Sequence, residues 1–429
     1  MKYRPYWWDT VAPAGQGVSP DTTPPRGDRW DVLVIGGGYT GLSAARRLAL
    51  SGASALVVDR GFIGWGASSR NGGQVLTGLK VDPATLVARF GERRAGELFE
   101  AANVAIATLE NLIESEGIEC DYRRSGHAQA AWKRSHFSQL LDEQALLARV
   151  FDYRVDIVGP SEQRSEVGSA FYHGLLVDER SGCLNPARYV SGLADAAVRA
   201  GARVCGGVGI ARVEGAAGAW LAHTDKGAAI RAKEMLVATN GYTDGAAPEV
   251  RRRLLPIGSY IIATEPLDPA RACALLPKRR VVFDSKYFLF YFRVTSDGRL
   301  LFGGRAEFRR PDDRAAGRAA RILYGGMIAV FPELRGTKVE YAWGGNVAFT
   351  RDRMPHAGRL NGMYFAGGYC GHGVALATAF GDLMARRMAG ERVDNPLLEL
   401  ECPPIPLYRG TPWFLPLVGA YYKVQDWIS

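Results

Sequence analysis

Residues 31–59, DVLVIGGGYTGLSAARRLALSGASALVVD, decide the reading of this chain. Asp31 leads into the apolar run Val32, Leu33, Val34, Ile35, which has the length and composition of a strand buried on both faces, as in a parallel sheet. The run ends at Gly36. Gly36, Gly38 and Gly41 then fit G-x-G-x-x-G, where the first glycine permits a tight turn, the second lets backbone approach a pyrophosphate and the third lets helix pack on strand. A helix is expected over residues 40–51, with its free N–H groups and positive dipole end facing that phosphate, and Gly52 ends it. A second strand, residues 55–58, runs into Asp59, placed about twenty positions on to accept hydrogen bonds from ribose hydroxyls. Tyr39 and Thr40 inside the turn, and Arg60 after the acid, belong to the same expected binding surface. A lone triple glycine would be weak evidence. Strand, turn, helix, strand and acid in order predict a bound dinucleotide.

The 429 residues suggest two or three domains, and 47% hydrophobic residues with ordinary charge mark a globular chain. No run reaches the roughly eighteen apolar residues of a membrane span, and MKYRPYWWDT lacks the apolar segment of a secretory leader, so a cytosolic location is expected. The six cysteines stand singly, without C-x-x-C, so neither a zinc site nor a disulfide framework is expected. The net charge of +9 is spread in short groups at 251–253, 278–280 and 309–310. Such groups read as a solvated surface and argue against nucleic acid.

Residues 1–30 read as an irregular arm anchored by Trp7 and Trp8, and residues 64–74 as a loop lying against the cofactor. Helical periodicity covers 83–115 and 135–150, and Asn185-Pro186 caps a helix through 200. Strands are expected at 172–178, 203–205, 210–213 and 234–238, the last running into the small-residue turn Ala238-Thr239-Asn240-Gly241. Segments 259–264, 281–283, 288–294 and 299–303, with a turn at Ser296-Asp297-Gly298, predict an antiparallel sheet. A helix is expected over 315–330 and a strand over 339–343. Finally residues 363–366 form a strand that enters a second glycine turn, Gly367, Gly368, Gly371 and Gly373, and a helix over 374–388. The resulting fold class is α/β, a Rossmann-like FAD/NAD(P)-binding domain plus an α+β substrate domain with an antiparallel sheet.

The motifs YWWDT, VIGGGYTGLSAA, GWGASSRNGGQ, LNPARYVSGLADAA, ATNGY, YFRVTSDGRLLFGGR and FAGGYCGHGVALATAFG occur in order over nearly the whole chain. The sequence resembles the D-amino-acid oxidase superfamily of FAD-dependent oxidoreductases, and within it the gamma-glutamylputrescine oxidase branch. The resemblance implies a discontinuous FAD domain, expected from residues 31–82, 185–250 and 336–400. It also implies a substrate domain from 83–184 and 251–335, followed by an aromatic tail, 401–429. Carried over, Gly36, Gly38, Gly41 and Asp59 hold the ADP half of FAD. Ala67, Ser68, Arg70, Asn71, Gly72, Gly73 and Gln74 line its ribityl chain and flavin, with Thr239 and Gly241 alongside. Gly368, Gly371, His372, Gly373 and Val374 meet the pyrimidine end.

Relatives that attach flavin covalently do so through a cysteine where WGGNVAFT has Val347, Ala348 and Phe349, so noncovalent FAD is expected. Sarcosine oxidase has an oxygen-activating lysine where RLLFGG has Leu301. The activity implied is oxidation of an amine or amino acid by hydride transfer to flavin N5, with hydrolysis of the imine and peroxide formation from oxygen. A dehydrogenase passing electrons to a quinone or carrier protein, a flavin-binding redox sensor and an NAD-dependent enzyme are the competing readings.

Such chemistry asks the protein for orientation, desolvation and charge. Arg293 is expected to clamp a substrate carboxylate with its planar fork. Tyr287 and Tyr291, on one face of a β segment, are expected to wall the pocket; His372 and Trp65 are placed beside the flavin. The other histidines lack paired-ligand spacing, so no metal is expected. The aromatic tail is expected to pack on its own domain or a partner subunit, with contact to a membrane as the alternative.

Overall fold

The structure is a computed structural model that describes residues 1–11, 29–304, 312–415 and 419. Most of the expected arm, the end of the C-terminal tail and the basic pair at 309–310 lie outside the described residues.

Strand β1, Arg29–Ile35, helix α1, Tyr39–Leu50, and strand β2, Ala55–Val58, form the expected opening unit. β1 lies between β2 and Ala229–Val237, parallel to both, with Ile35 opposite Val58 and Val237. Arg203–Cys205 extends the sheet beyond β2, and Met363–Gly367 pairs parallel to Ala229–Val237 on the other side. His356–Leu360 adds an antiparallel edge, and Ile210–Ala216 and Ala219–Thr224 form a ribbon against Ala229–Val237. Three strands, β1, Ala229–Val237 and Met363–Gly367, are therefore parallel, and the three small-residue turns that follow them open at one edge. That edge is where an open α/β sheet binds ligand.

The second eight-stranded sheet runs in the order Val339–Phe349, Leu255–Thr264, Leu300–Gly304, Phe290–Val294, Val281–Asp284, His127–Ala130, Leu175–Asp178, Asp156–Val158. It is antiparallel except where Val281–Asp284 pairs parallel with His127–Ala130. Helix Asp313–Val330 covers one face through Ala319, Leu323 and Met327, which share a core with Phe292 and Phe302.

Two of the expected domain limits are corrected. Val339–Phe349 pairs along its length with Leu255–Thr264, so this part of 336–400 lies in the second sheet. Helix α2, Pro83–Glu116, buries Leu86, Leu98, Ala102 and Leu109 with α1 and Gly373–Met388, in the core of the cofactor sheet. Its amphipathic period was visible, but the sheet on which its apolar face settles is a tertiary outcome. α2 is also broken at Gly91, where φ is 75° and ψ 162°.

The described part of the C-terminal tail packs on its own chain. Ile405 N–H donates to Arg252 O (3.0 Å), and Arg253 Nε donates to Cys402 O (2.8 Å). Among the described residues no helix is long and apolar enough to cross a membrane.

Candidate active site

The first elbow is shaped by contact distances that exclude side chains. Gly36 has φ of 114°, and a Cβ there would lie 2.8 Å from Ala238 O. A Cβ at Gly41 would lie 2.0 Å from Gly36 O, so α1 could not begin so close to β1. Asp59 accepts hydrogen bonds from the N–H groups of Gly37 (2.8 Å) and Gly61 (2.9 Å). Burial raises its pKa above the usual carboxylate value.

The second elbow meets the first directly. Thr40 Oγ1 and Tyr369 OH are 2.6 Å apart, and Ser43 Oγ donates to Thr378 O (2.7 Å). Both elbows line one elongated cavity of about 2030 Å³, counted with its open mouth. At one end lie Asp59, Arg60, Asp244 and Val208; at the other lie Leu76, Lys80, Phe283, Leu289, Tyr291 and His372. Residues 65–74 form the wall between.

That middle wall is held from behind by three indoles. Trp7 Nε1 donates to Asn71 O (2.9 Å), Trp8 Nε1 to Ser69 Oγ (2.8 Å) and Trp343 Nε1 to Arg70 O (2.9 Å). Trp7 and Trp8 thus anchor the N-terminal segment on the cofactor loop itself. Arg70 projects to the cavity between Trp8 and Trp65, at 4.8 and 5.3 Å from the ring centroids, and donates to the carbonyls of Trp65 and Gly344. It has no carboxylate partner among the described residues, and burial lowers its pKa.

Of the expected cofactor residues, Gly36, Gly38, Tyr39, Thr40, Asp59, Arg60, Ala67, Ser68, Arg70, Asn71, Gly72, Gln74, Thr239, Gly371, His372, Gly373 and Val374 line this cavity, and Trp65 and Tyr291 do too. Gly41, Gly73, Gly241 and Gly368 stand behind it. Gly241 O accepts from Asn346 Nδ2, and Gly368 N–H donates to Asn240 Oδ1. Asn240 and Tyr242 therefore reach the cavity in place of Gly241.

Arg293 is not a clamp in this cavity. Its buried guanidinium donates from Nε to Gly72 O (2.8 Å) and from Nη2 to Leu184 O (2.6 Å) and lies over Trp7, so it helps to hold the loop and does not line the cavity. Tyr287 is also corrected: it sits in the turn before Phe290–Val294, exposed and off the cavity wall, while Tyr291 OH lies 3.0 Å from Ser259 Oγ. Leu301 is buried against Trp7, Tyr341 and Trp343, away from the cavity.

His372 caps the helix Gly373–Met388, its N–H donating to Tyr369 O (2.9 Å). The ring is half-buried, and Nδ1 is out of solvent with no hydrogen-bond partner among the described residues. Burial, then the cationic Lys80, push its pKa down to about 3, so the imidazole is neutral near pH 7. Cys370, also on the wall, has its thiol pushed up to about 11 by burial. Sequence reasoning missed Lys80, Phe283 and Leu289, which sit in no glycine motif, and Tyr242 and Asn346, which follow the glycines of ATNGY and WGGNVAFT but were not singled out. A cradle of small residues at a helix N-terminus, a hydrogen-bonding acid and a long cavity joining two elbows fits an extended dinucleotide such as FAD.

Comparison with known proteins agrees with this geometry. Residues 31–387 match the DAO family model, described as FAD dependent oxidoreductase. The chain is 34% identical over 409 residues to gamma-glutamylputrescine oxidoreductase of Escherichia coli (strain K12), covering 92% of each. Its fold is similar to glycine oxidase from Geobacillus kaustophilus, with a TM-score of 0.73 at 18% identity over 87% of this chain and 99% of that one. It is also similar to L-proline dehydrogenase from P. horikoshii, with a TM-score of 0.71 at 19% identity over 86% and 96%. The chain belongs to the DAO family of FAD-dependent oxidoreductases.

Proposed function

We propose that this protein oxidises the C–N bond of an amine or amino acid, with FAD bound noncovalently in the cavity that joins the two elbows. The observation that carries the reading is the single cavity lined by both glycine turns, with a neutral histidine at its far end. The names of the relatives, gamma-glutamylputrescine oxidoreductase among them, support an amine as substrate.

The elbow from Gly36 to Gly41 and the start of α1 would hold the pyrophosphate, Asp59 the ribose, and residues 65–74 with 369–374 the isoalloxazine end. When bound, FAD supplies a two-electron acceptor for conversion of the amine to an imine, which water then hydrolyses. The chain's own part is binding, orientation and exclusion of water. Leu76, Phe283, Leu289 and Val347 form an apolar wall that takes the substrate's carbon chain and excludes water. The neutral imidazole of His372, too weakly basic to hold a proton, accepts a hydrogen bond from the N–H of an amine that binds as its free base, and so orients the nitrogen for oxidation. Arg70 contributes positive charge that favours electron arrival in the cavity. Noncovalent attachment is supported by Cys370, whose buried thiol stays protonated and therefore poorly nucleophilic.

Oxygen is the proposed electron acceptor. The second reading, a quinone or carrier protein, draws on the apolar, buried Leu301. Anaerobic stopped-flow mixing with a panel of amines tests the reaction: at least one amine bleaches the flavin band, and a fully loaded enzyme that no amine bleaches contradicts it. Rapid reoxidation by oxygen then separates the two acceptors.

A further inference from the structure

Part of the apolar wall at the far end of the cavity is carried on a turn that two buried charges close. Strands Val281–Asp284 and Phe290–Val294 pair antiparallel, with Phe283 opposite Tyr291, and residues 285–289 join them. Phe283, Leu289 and Tyr291 reach the cavity, while Tyr287 near the tip of the turn is exposed. Asp284 Oδ1 accepts hydrogen bonds from the N–H groups of Phe290 (3.0 Å) and, more weakly, Lys286 (3.4 Å), and Oδ2 lies 3.1 Å from Lys286 Nζ. The side chain of Asp284 is fully buried, and that of Lys286 is 8% exposed.

The lysine sits in an aromatic box. Its Nζ lies 3.4 Å from the ring centroid of Phe290, 4.6 Å from that of Trp132 and 5.9 Å from that of Phe171. Phe290 in turn packs on Phe302, at 4.9 Å between centroids, in the core of the second sheet. Ser285 ties the start of the turn to the neighbouring segment: its N–H donates to Ala130 O (3.0 Å), and its Oγ accepts from Trp132 N–H (3.0 Å) and lies 2.6 Å from His136 Nδ1. Burial pushes the Asp284 carboxyl up to about 6 and Lys286 pulls it down, so the pair is ionised near pH 7. A pair this far from water returns little net stability, and its best-attested use is to specify one arrangement of the chain. Neither charge lines the cavity, but Phe283 before them and Leu289 after them do.

We propose that Asp284 and Lys286 are positioning residues of the substrate end: boxed together, they hold the turn 285–289 closed and so fix Phe283 and Leu289 as the wall against which the substrate's carbon chain lies. The assignment rests on the reading that an amine binds at this end. The cation–π contacts fix where the lysine sits, and the lysine and the two N–H groups fix the carboxylate. With the turn released, Leu289 leaves the wall, and a long chain loses the contacts that distinguish it from a short one.

The test uses FAD-loaded enzyme: wild type, Lys286→Met, Lys286→Arg and the double variant Asp284→Asn with Lys286→Met, which removes both charges and leaves no unpaired carboxylate buried. Two readouts are taken: hydrogen–deuterium exchange of the peptide spanning 284–290, and anaerobic flavin reduction by primary n-alkylamines from ethylamine to hexylamine. Exchange in that peptide is expected to rise about tenfold in Lys286→Met and in the double variant, while the peptide spanning 65–74 keeps its protection. The affinity for hexylamine relative to ethylamine is expected to fall about tenfold, with the limiting rate of reduction by ethylamine unchanged. Lys286→Arg, which keeps the charge and the ring contacts, retains most of the wild-type behaviour in both. The proposal is overturned if exchange in the two variants matches wild type, or if ethylamine and hexylamine are weakened alike. If no amine reduces wild-type flavin, the amine reading fails, and the exchange measurement still decides whether the pair holds the turn.

Discussion

At the scale of single residues, spacing announced those positions whose geometry a ligand dictates to the backbone. Gly36, Gly38, Gly41 and Asp59 could be named from sequence because a tight turn, a close approach of helix to strand and an acid at the end of the next strand fix their separation in such a unit. Gly41→Ala tests the tightest of them: with Gly36 O only 2.0 Å from a new Cβ, helix and strand must part. The expected cost is on the order of 3 kcal/mol with loss of FAD, read by thermal unfolding and flavin fluorescence. Arg293 shows the opposite case. Its strand and face were legible, but the carbonyls of Gly72 and Leu184 that accept its hydrogen bonds come from segments far away in sequence.

His372 carries a prediction about pH. With a folded-state pKa near 3 against about 6.5 when unfolded, the unfolded chain binds the extra proton between those values. Its contribution to stability is therefore full above pH 6.5 and is lost progressively as pH falls toward 3. Nitrogen NMR of labelled histidine is expected to show this ring neutral at pH 5; a ring titrating near 6.5 contradicts the assignment.

At the scale of elements, long periodic segments were legible and short strands were not. The helices ending at Gly52, Gly117 and Gly201 carried apolar stripes with stop signals, and each appears within about a turn of its expected ends. His127–Ala130 and Ala219–Thr224 escaped notice, being short strands defined by their partners more than by alternation. The loop 65–74 is the element on which the site turns, and its backing by Trp7, Trp8 and Trp343 makes it testable. Trp7→Phe removes the donor to Asn71 O while keeping the ring. It is expected to cost about 1 kcal/mol and to speed FAD release, measured by unfolding with and without added FAD. An unchanged release rate would separate the indole from the cofactor loop. Asp82→Ala is expected to cost about 1 kcal/mol by uncapping α2, with a further loosening of the segment that bears Lys80. A variant as stable as wild type contradicts that.

At the scale of the whole molecule, two sheets meet along one cavity, and the chain must cross between them several times to build it. The opening unit and the last helix were recognisable as two elbows, but their contact through Thr40 and Tyr369 is a long-range fact that no local pattern encodes. The same holds for Val339–Phe349, which continues the second sheet while presenting Asn346 and Val347 to the cavity. A ligand touching both halves stabilises them together. FAD at a hundred times its Kd is expected to add about 2.7 kcal/mol, so removal of the cofactor lowers Tm and reloading restores it.

The claim beneath all of this is that the two elbows enclose one FAD per chain. The direct measurement is the identity and stoichiometry of the nucleotide released when the purified, reconstituted protein is denatured. One FAD for each chain, free in solution after denaturation, is the result expected. A colourless protein that takes up no FAD, or one that releases NAD instead, would contradict the account.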